Sequence, residues 1–384
     1  MPIHKRAVCA AAASVFALSA LAACSSVNGG STSTSGDKTA SSGAYSAQYK
    51  SATEASPAKF EGPSAAVQAK PNAKIAVITC YSILSGCVSP AKGIEEAAKD
   101  IGWQVRTFDG GGTADKQIAQ MLNALSWGAD IIVNVAIDPN SVQDGLRAAK
   151  KAGVPVGAGS NGLESPNPEV KPAAGKLGYA FDVGPDYAAL GGKTADWITA
   201  DSGGKAHVAV YSDKTFPSVM ALQKGLLSGL DKCSGCSVSA PQYFTGAQVS
   251  QVLPQSVVSY VRSHPETNYV FMPYDPAAAA VVPALQQAGY GDKVKVVGVL
   301  GSQENLNFIR DGRVQAADAA YDNRYMGYAV VDQSARLLAG QPLAQPEGEN
   351  LPYVVLDKSN APASGSDWQA SFDYVSAYAD LWKH

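Results

Sequence analysis

Four cysteines pose the first chemical question. Cys80 and Cys87 bracket six residues within ITCYSILSGCVSP (78–90), and Cys233 and Cys236 bracket Ser234 and Gly235. Such pairs serve as redox couples, as halves of metal sites, or as staples. Neither pair has a histidine or a second cysteine pair at zinc spacing, and the four histidines are scattered, so neither a metal nor a cofactor is expected. A reactive CxxC usually opens a helix, where the dipole lowers the thiol pKa. Cys233 instead follows the helix-period segment SVMALQKGLLSGL and precedes a strand-like run, which favours a structural disulfide over an exported thiol oxidoreductase. Closeness in sequence makes 80 with 87 and 233 with 236 the simplest pairing.

Whether disulfides persist depends on the compartment. The N-terminus carries His4, Lys5 and Arg6 ahead of an almost uncharged apolar run over 7–23. That run is short for a bilayer span and has no stop-transfer pattern after it, so 1–23 read as a secretory signal. Leu21-Ala22-Ala23-Cys24 resembles a bacterial lipobox, with cleavage before Cys24 and lipid attached to it. Residues 24–71 open with a Ser/Thr/Gly-rich stretch and are expected to form a flexible tether. The expected location is therefore the outer face of the cell membrane, held by lipid, where disulfides persist. Cys9 leaves with the signal and Cys24 is lipidated, which leaves the two pairs.

The whole chain has a formal net charge of −3, and the signal removes two cations and no acid. No basic patch or basic-aromatic run is present, which argues against nucleic acid as a partner. Roughly 310 residues from Asn72 onward exceed one small core and suit two lobes.

From Lys74 onward, β-branched runs alternate with helix-period segments. KIAVITC, WQVRTFD, DIIVNVAI and VPVGAGS read as four strands; the helix after the first takes Ser89 as its cap and Pro90 in its first turn. GGG at 110–112 follows a strand and precedes a helix but lacks both the GxGxxG spacing and a P-loop lysine. A second series follows, with AHVAVYS, SVSAPQYF, TNYVFMPY and VKVVGVL as strands between helical segments. The helix-period segment YDNRYMGYAVVDQSARLLAG and an aromatic-rich helical tail, SDWQASFDYVSAYADLWKH, close the chain. The expected fold is α/β, with two similar parallel, helix-covered lobes facing across a cleft.

The order of elements, with LGGKTADWI, SHPETNYVFMPYDPAAAAVVPALQQAG and VKVVGVLG followed by IRDGRVQAA, resembles the type I periplasmic binding proteins of the ribose-binding-like group over roughly 74–356. That resemblance implies two doubly wound parallel-sheet lobes joined by three hinge crossovers, near Asp182, Tyr321 and Leu351. Lobe one would be 72–182 plus 322–350, and lobe two 183–321 plus 351–384. It implies a monomer that catalyses nothing: it captures a small-molecule solute, a sugar or sugar-like ring, by hinge closure and hands it to an ABC permease. An aromatic or alicyclic solute, or a sensory role before a membrane receptor, are the alternatives.

In open α/β sheets ligands sit beyond the carboxyl ends of the strands. The strand-end loops nominate Tyr81, Ser82, Ile83, Asp138, Ser160, Asn161, Asp213, Phe216, Phe244, Tyr274, Asp275, Leu300 and Tyr321, and the resemblance adds Met220 in the first helix of the second lobe. Sugar-holding members of the group typically place an Asp-Arg pair, an Arg, an Asn and an Asp where this chain has Ser160-Asn161, Met220, Tyr274 and Leu300. Those paired charge-assisted grips on hydroxyls are gone, and rings and apolar groups stand in their place. Asp138 has a second reading as the cap of the helix begun by Pro139, and Arg324 as a surface ion pair.

Overall fold

The computed structural model describes residues 43–163, 178–363 and 365–382. The signal segment and Cys24 lie outside the described residues. Two sheets organise the chain. The first has the order β2-β1-β3-β4-β5 and is parallel throughout: β1 is Lys74–Thr79, β2 Gln104–Asp109, β3 Ile131–Val135, β4 Val156–Gly159 and β5 Asp182–Val183. β3 and β4 are buried at every position and β1 at all but its first, as central parallel strands covered on both faces must be. The second sheet has the order β12-β11-β10-β9-β6-β7, with β8 also pairing to β6. Its strands are β6 His207–Ser212, β7 Ser237–Val238, β8 Gln242–Tyr243, β9 Tyr269–Phe271, β10 Lys295–Leu300, β11 Gln315–Tyr321 and β12 Tyr353–Asp357. Only β12 runs antiparallel, against β11.

Helices α2 Ser85–Asp100, α3 Ala114–Trp127 and α4 Gln143–Lys151 link the strands of the first sheet. α5 Tyr187–Asp201, α6 Pro217–Leu230, α7 Leu253–Ser263, α8 Asp275–Gln287 and α9 Gln303–Arg310 accompany the second. The chain passes between the sheets over 184–186, at Asp322, and over 339–352. Between the last two crossings runs α10 Asn323–Leu338, which returns to the first sheet and packs on α2 and β4. The fold is thus two doubly wound lobes joined by three crossovers.

Four local expectations are revised. α2 begins at Ser85, not after Ser89, and Pro90 lies inside it. Burial of Leu84 and Cys87 and the tie from Cys87 to Cys80 outweigh the local capping signal. SVSAPQYF forms two short strands, Ser237–Val238 and Gln242–Tyr243, because Pro241 between them offers no donor to the ladder. The expected tether ends early. Ser46–Thr53 form helix α1, Ser56 bridges Tyr353, and Ala52, Val67 and Ala69 are buried. The Ser/Thr/Gly composition stops near Gly43, and Tyr45, Tyr49, Phe60 and Val67 supply apolar surface worth ordering. Finally, β12 joins the second sheet, but the terminal helix α11, Tyr374–Leu381, packs on α10 of the first lobe, so 351–384 do not all lie on one lobe.

The N-terminal arm and the C-terminal tail therefore both run along the hinge. Tyr49 donates to Asp357 (2.7 Å) on the second lobe, while Phe60 sits among Tyr325, Phe372 and Tyr378 on the first. At this junction Glu349 is buried and accepts from the Tyr378 hydroxyl at 2.6 Å. Burial, with Asp332 nearby, holds its carboxyl well above the ordinary value of 4.5. Asp322, the cap of α10, is pushed up by burial to about 6. A raised native pKa means the folded chain holds the proton longer than the unfolded one, so this stability is present at low pH and declines as pH rises. Relative to the parent, Glu349→Gln is expected to gain thermal stability progressively from about pH 4.5 upward, with no gain below it. Melting curves at stepped pH check this; a gain confined to acid pH contradicts it.

Candidate functional site

The carboxyl ends of both sheets face a single cavity of about 50 Å3. Its first-lobe wall comes from Cys80 after β1, Leu84, Gly86 and Cys87 at the start of α2, Ala136 after β3 and Ser160 after β4. Its second-lobe wall includes Tyr187 at the start of α5, Phe216 capping α6, Tyr274 capping α8, Leu300 ending β10 and Tyr321 ending β11. Ala136, Ser160 and Leu300 hold φ of 53°, 65° and 130°. Left-handed backbone at three non-glycine residues around one cavity is strain of the kind that gathers where chains grip ligands.

The lobes touch around this cavity. Ser160 Oγ lies 3.1 Å from Tyr187 Oη, and the Tyr187 and Tyr321 rings meet edge to face at 5.6 Å. Gly162 has φ 68°, and a Cβ there would sit 2.9 Å from the Tyr187 ring; only glycine leaves room for that contact. Burial raises the hydroxyl pKa of Tyr187, Tyr274 and Tyr321, the last to about 12, so all three are neutral donors at physiological pH.

Five of the nominated residues line the cavity: Ser160, Phe216, Tyr274, Leu300 and Tyr321. Two more support it from behind. Asp213 accepts from the Tyr274 hydroxyl at 3.1 Å, and the Phe244 ring leans on Tyr274 at 5.6 Å. Seven are not brought to the wall. Tyr81 packs beside Gly112, Ser82 bonds Asp109 (2.8 Å), and Ile83 is exposed at 63%. Asp138 caps the 3-10 turn Pro139–Val142 by accepting from the Asn140 amide, as its second reading had it. The Asn161 side-chain amide is turned to the Gly159 carbonyl at 3.3 Å and to Asp182 at 3.5 Å. Met220 points its sulfur toward Ser212. Asp275 accepts from the Ser302 amide at 2.7 Å, and burial, with the Asp318 carboxyl beside it, holds its pKa well above the ordinary carboxylate value. Arg324 pairs with Glu96 (2.8 Å).

The sequence reading missed Leu84, Gly86, Tyr187, Ser218, Val219 and Leu222. Met220 apart, it looked at strand-end loops, whereas these lie in the opening turns of α2, α5 and α6 or at their caps. The signal available was the apolar run in the first turns of α6, which faces the cleft. Cys80 and Cys87 lie at disulfide distance, with Cα atoms 5.4 Å apart, and so do Cys233 and Cys236, at 5.3 Å. The first bridge ties the end of β1 to the first turn of α2, and both of its cysteines line the wall. It limits the four-residue loop 81–84 before any ligand arrives, lowering the ordering cost of binding. Among the described residues no cluster of metal-ligating side chains occurs.

Fold and cleft together describe a two-lobed receptor, and comparison with known proteins agrees. The model of the periplasmic binding protein domain matches residues 75–342, and the chain belongs to that family. Among curated relatives, the ribose import binding protein RbsB of Escherichia coli (strain K12) is 23% identical over 299 residues, covering 76% of this chain and 94% of that one. Among solved structures, an ABC transporter solute binding protein from Agrobacterium vitis bound with α-D-tagatopyranose superposes with TM-score 0.67 at 19% identity, covering 76% of this chain and 96% of that one. A second, from Mycobacterium smegmatis with bound glycerol, has TM-score 0.66 at 21% identity and covers 77% and 99%.

Proposed function

We propose that the chain is the exported, lipid-anchored receptor of an ABC importer, closing its lobes over one small uncharged solute and releasing it unaltered to a permease. The observation that carries this reading is the cavity itself: its walls come from both lobes, at the carboxyl ends of both sheets, and among the described residues no charged side chain lines it. The relatives named for ribose import or seen with a sugar or polyol support the same class of role. Residues 72–182 plus 322–350 and 183–321 plus 351–384 are the two halves that move, allowing for the tail helix docked on the first. A solute touching both walls favours the closed form by its differential affinity for it. Ser160, Tyr187, Phe216, Tyr274, Leu300 and Tyr321 are its contacts.

Native mass spectrometry of freshly purified protein, followed by extraction, tests this reading. One small, chemically unchanged adduct per chain is expected, and conversion of a supplied metabolite into a product would defeat the assignment. Anchoring is tested separately: palmitate label on the expressed protein should vanish in Cys24→Ala, and label persisting elsewhere contradicts the lipid attachment.

A further inference from the structure

We infer that the solute is a compact ring with a largely hydrocarbon body and a single oxygen function, an alicyclic or aromatic alcohol or ketone, and not a polyhydroxylated sugar. The inference rests on the cleft being the solute site and deepens that reading. It starts from what the wall can and cannot bond. Among the described residues lining it, the polar side chains are all hydroxyls, and three of these, Ser160, Tyr187 and Tyr321, gather at one place. The Tyr274 hydroxyl already donates to Asp213. A fifth hydroxyl residue, Ser218, lies on the first turn of α6, and the remaining wall is mostly aliphatic, aromatic, proline or disulfide, including Leu84, Val219, Leu222 and Val299.

Among the described residues, the carboxylates and the amide nominated for the cleft make bonds within their own lobes, although Asn161 Oδ1 and Asp275 Oδ1 are left without a partner. Asp138 caps a turn, Asp213 holds Tyr274, Asp275 holds the Ser302 amide, and Asn161 bonds Gly159 and Asp182. A sugar of four or five hydroxyls closed into this cavity would leave most of them without partners, each unmade bond costing about 1–3 kcal/mol. A hydrocarbon ring loses nothing there and gains from burial against Phe216 and Leu222. An oxygen on the ring finds ready partners in the cluster of Ser160, Tyr187 and Tyr321. Size agrees: the cavity of about 50 Å3 holds some three to five waters, at roughly 10–15 Å3 for each, room for a small ring and little more.

The test is calorimetric titration of the full-length chain with cyclohexanol, cyclohexanone and phenol, set against ribose, xylitol and glycerol. The ring compounds are expected to bind and the polyols not. Tyr187→Phe keeps the ring and removes one hydroxyl, and should weaken cyclohexanol about fivefold while leaving cyclohexane unchanged; Ser160→Ala, which cannot disturb the aromatic contact, should act in the same direction. Leu222→Trp, which fills the cavity, should abolish binding of all ring compounds. Polyols binding more tightly than ring alcohols, and lost in Leu222→Trp, would overturn the solute class while leaving the cleft in place. Cyclohexanol binding that survives Leu222→Trp would instead overturn the cleft. If no ring compound binds the folded parent chain at millimolar concentration, the inference is wrong.

Discussion

Gly327→Val should leave little folded protein, with melting lowered by on the order of 10 °C or the cooperative transition lost. Gly327 lies on α10 where it crosses α2, and a Cβ there would fall on the backbone of Gly93. Gly93 in turn faces the carbonyl of Asn323, which a Cβ would approach to 2.9 Å. Neither contact involves a side chain that could rotate away, so the helices must separate, and separating them empties contacts across a core that relaxes only in part. The loss should exceed the roughly 1–3 kcal/mol usual for overpacking, because the obstruction is backbone. Circular dichroism melts measure it, and a Gly327→Val protein melting within a few degrees of the parent would show that the crossing is looser than described. The consequence reaches the cleft, because α2 carries Leu84, Gly86 and Cys87 to its wall.

The second large effect is expected at a buried ion pair. Asp332 and Arg336, one turn apart on α10, have side chains 0% and 5% exposed and meet at 2.6 Å. Arg336 also donates to the Ala65 carbonyl of the N-terminal arm (2.7 Å), and Asp332 accepts from the Trp382 indole of the C-terminal tail (2.9 Å). Asp332→Ala leaves a buried guanidinium without its counter-charge, which costs about 3–5 kcal/mol. The Trp382 indole loses its acceptor, and Arg336, which holds the Ala65 carbonyl of the arm, loses the carboxylate that orients it. Limited proteolysis should then cut within 54–70, where the parent resists. Replacing both partners, Asp332→Ala with Arg336→Met, should recover most of the loss, since an apolar pair needs no compensation. A double variant no more stable than Asp332→Ala would show that the charge pair is not the cause.

Much of the fold could be read from residue pattern alone. Strands buried on both faces announce themselves as continuous β-branched runs, and KIAVIT and IIVNV were found within a residue or two of their observed limits. Boundaries set by tertiary contacts could not be read this way. The start of α2 depends on Cys87 meeting Cys80, and no residue within 85–88 signals a helix locally. The arm over 45–70 was hidden because its first neighbours in sequence are Ser and Thr, while the partners that order it, Asp357, Tyr353 and Tyr378, lie about 300 residues away. At the cleft, strand-end residues such as Ser160, Leu300 and Tyr321 were within reach of the rule that ligands gather there. Which loop residues turn inward depends on side-chain bonding instead. Asn161 and Asp275 carry the right chemistry in the right loops, yet each is bound within its own lobe, and Tyr187 on a helix first turn takes the position they were expected to hold.

Small-angle X-ray scattering on the full-length chain, stripped of solute and then resaturated with the molecule that co-purifies, tests the central claim most directly. The account predicts that the radius of gyration falls on saturation, as Ser160 and Tyr187 come together across the cleft, and rises again when the solute is removed. Superimposable curves with and without a solute shown to be bound would contradict it.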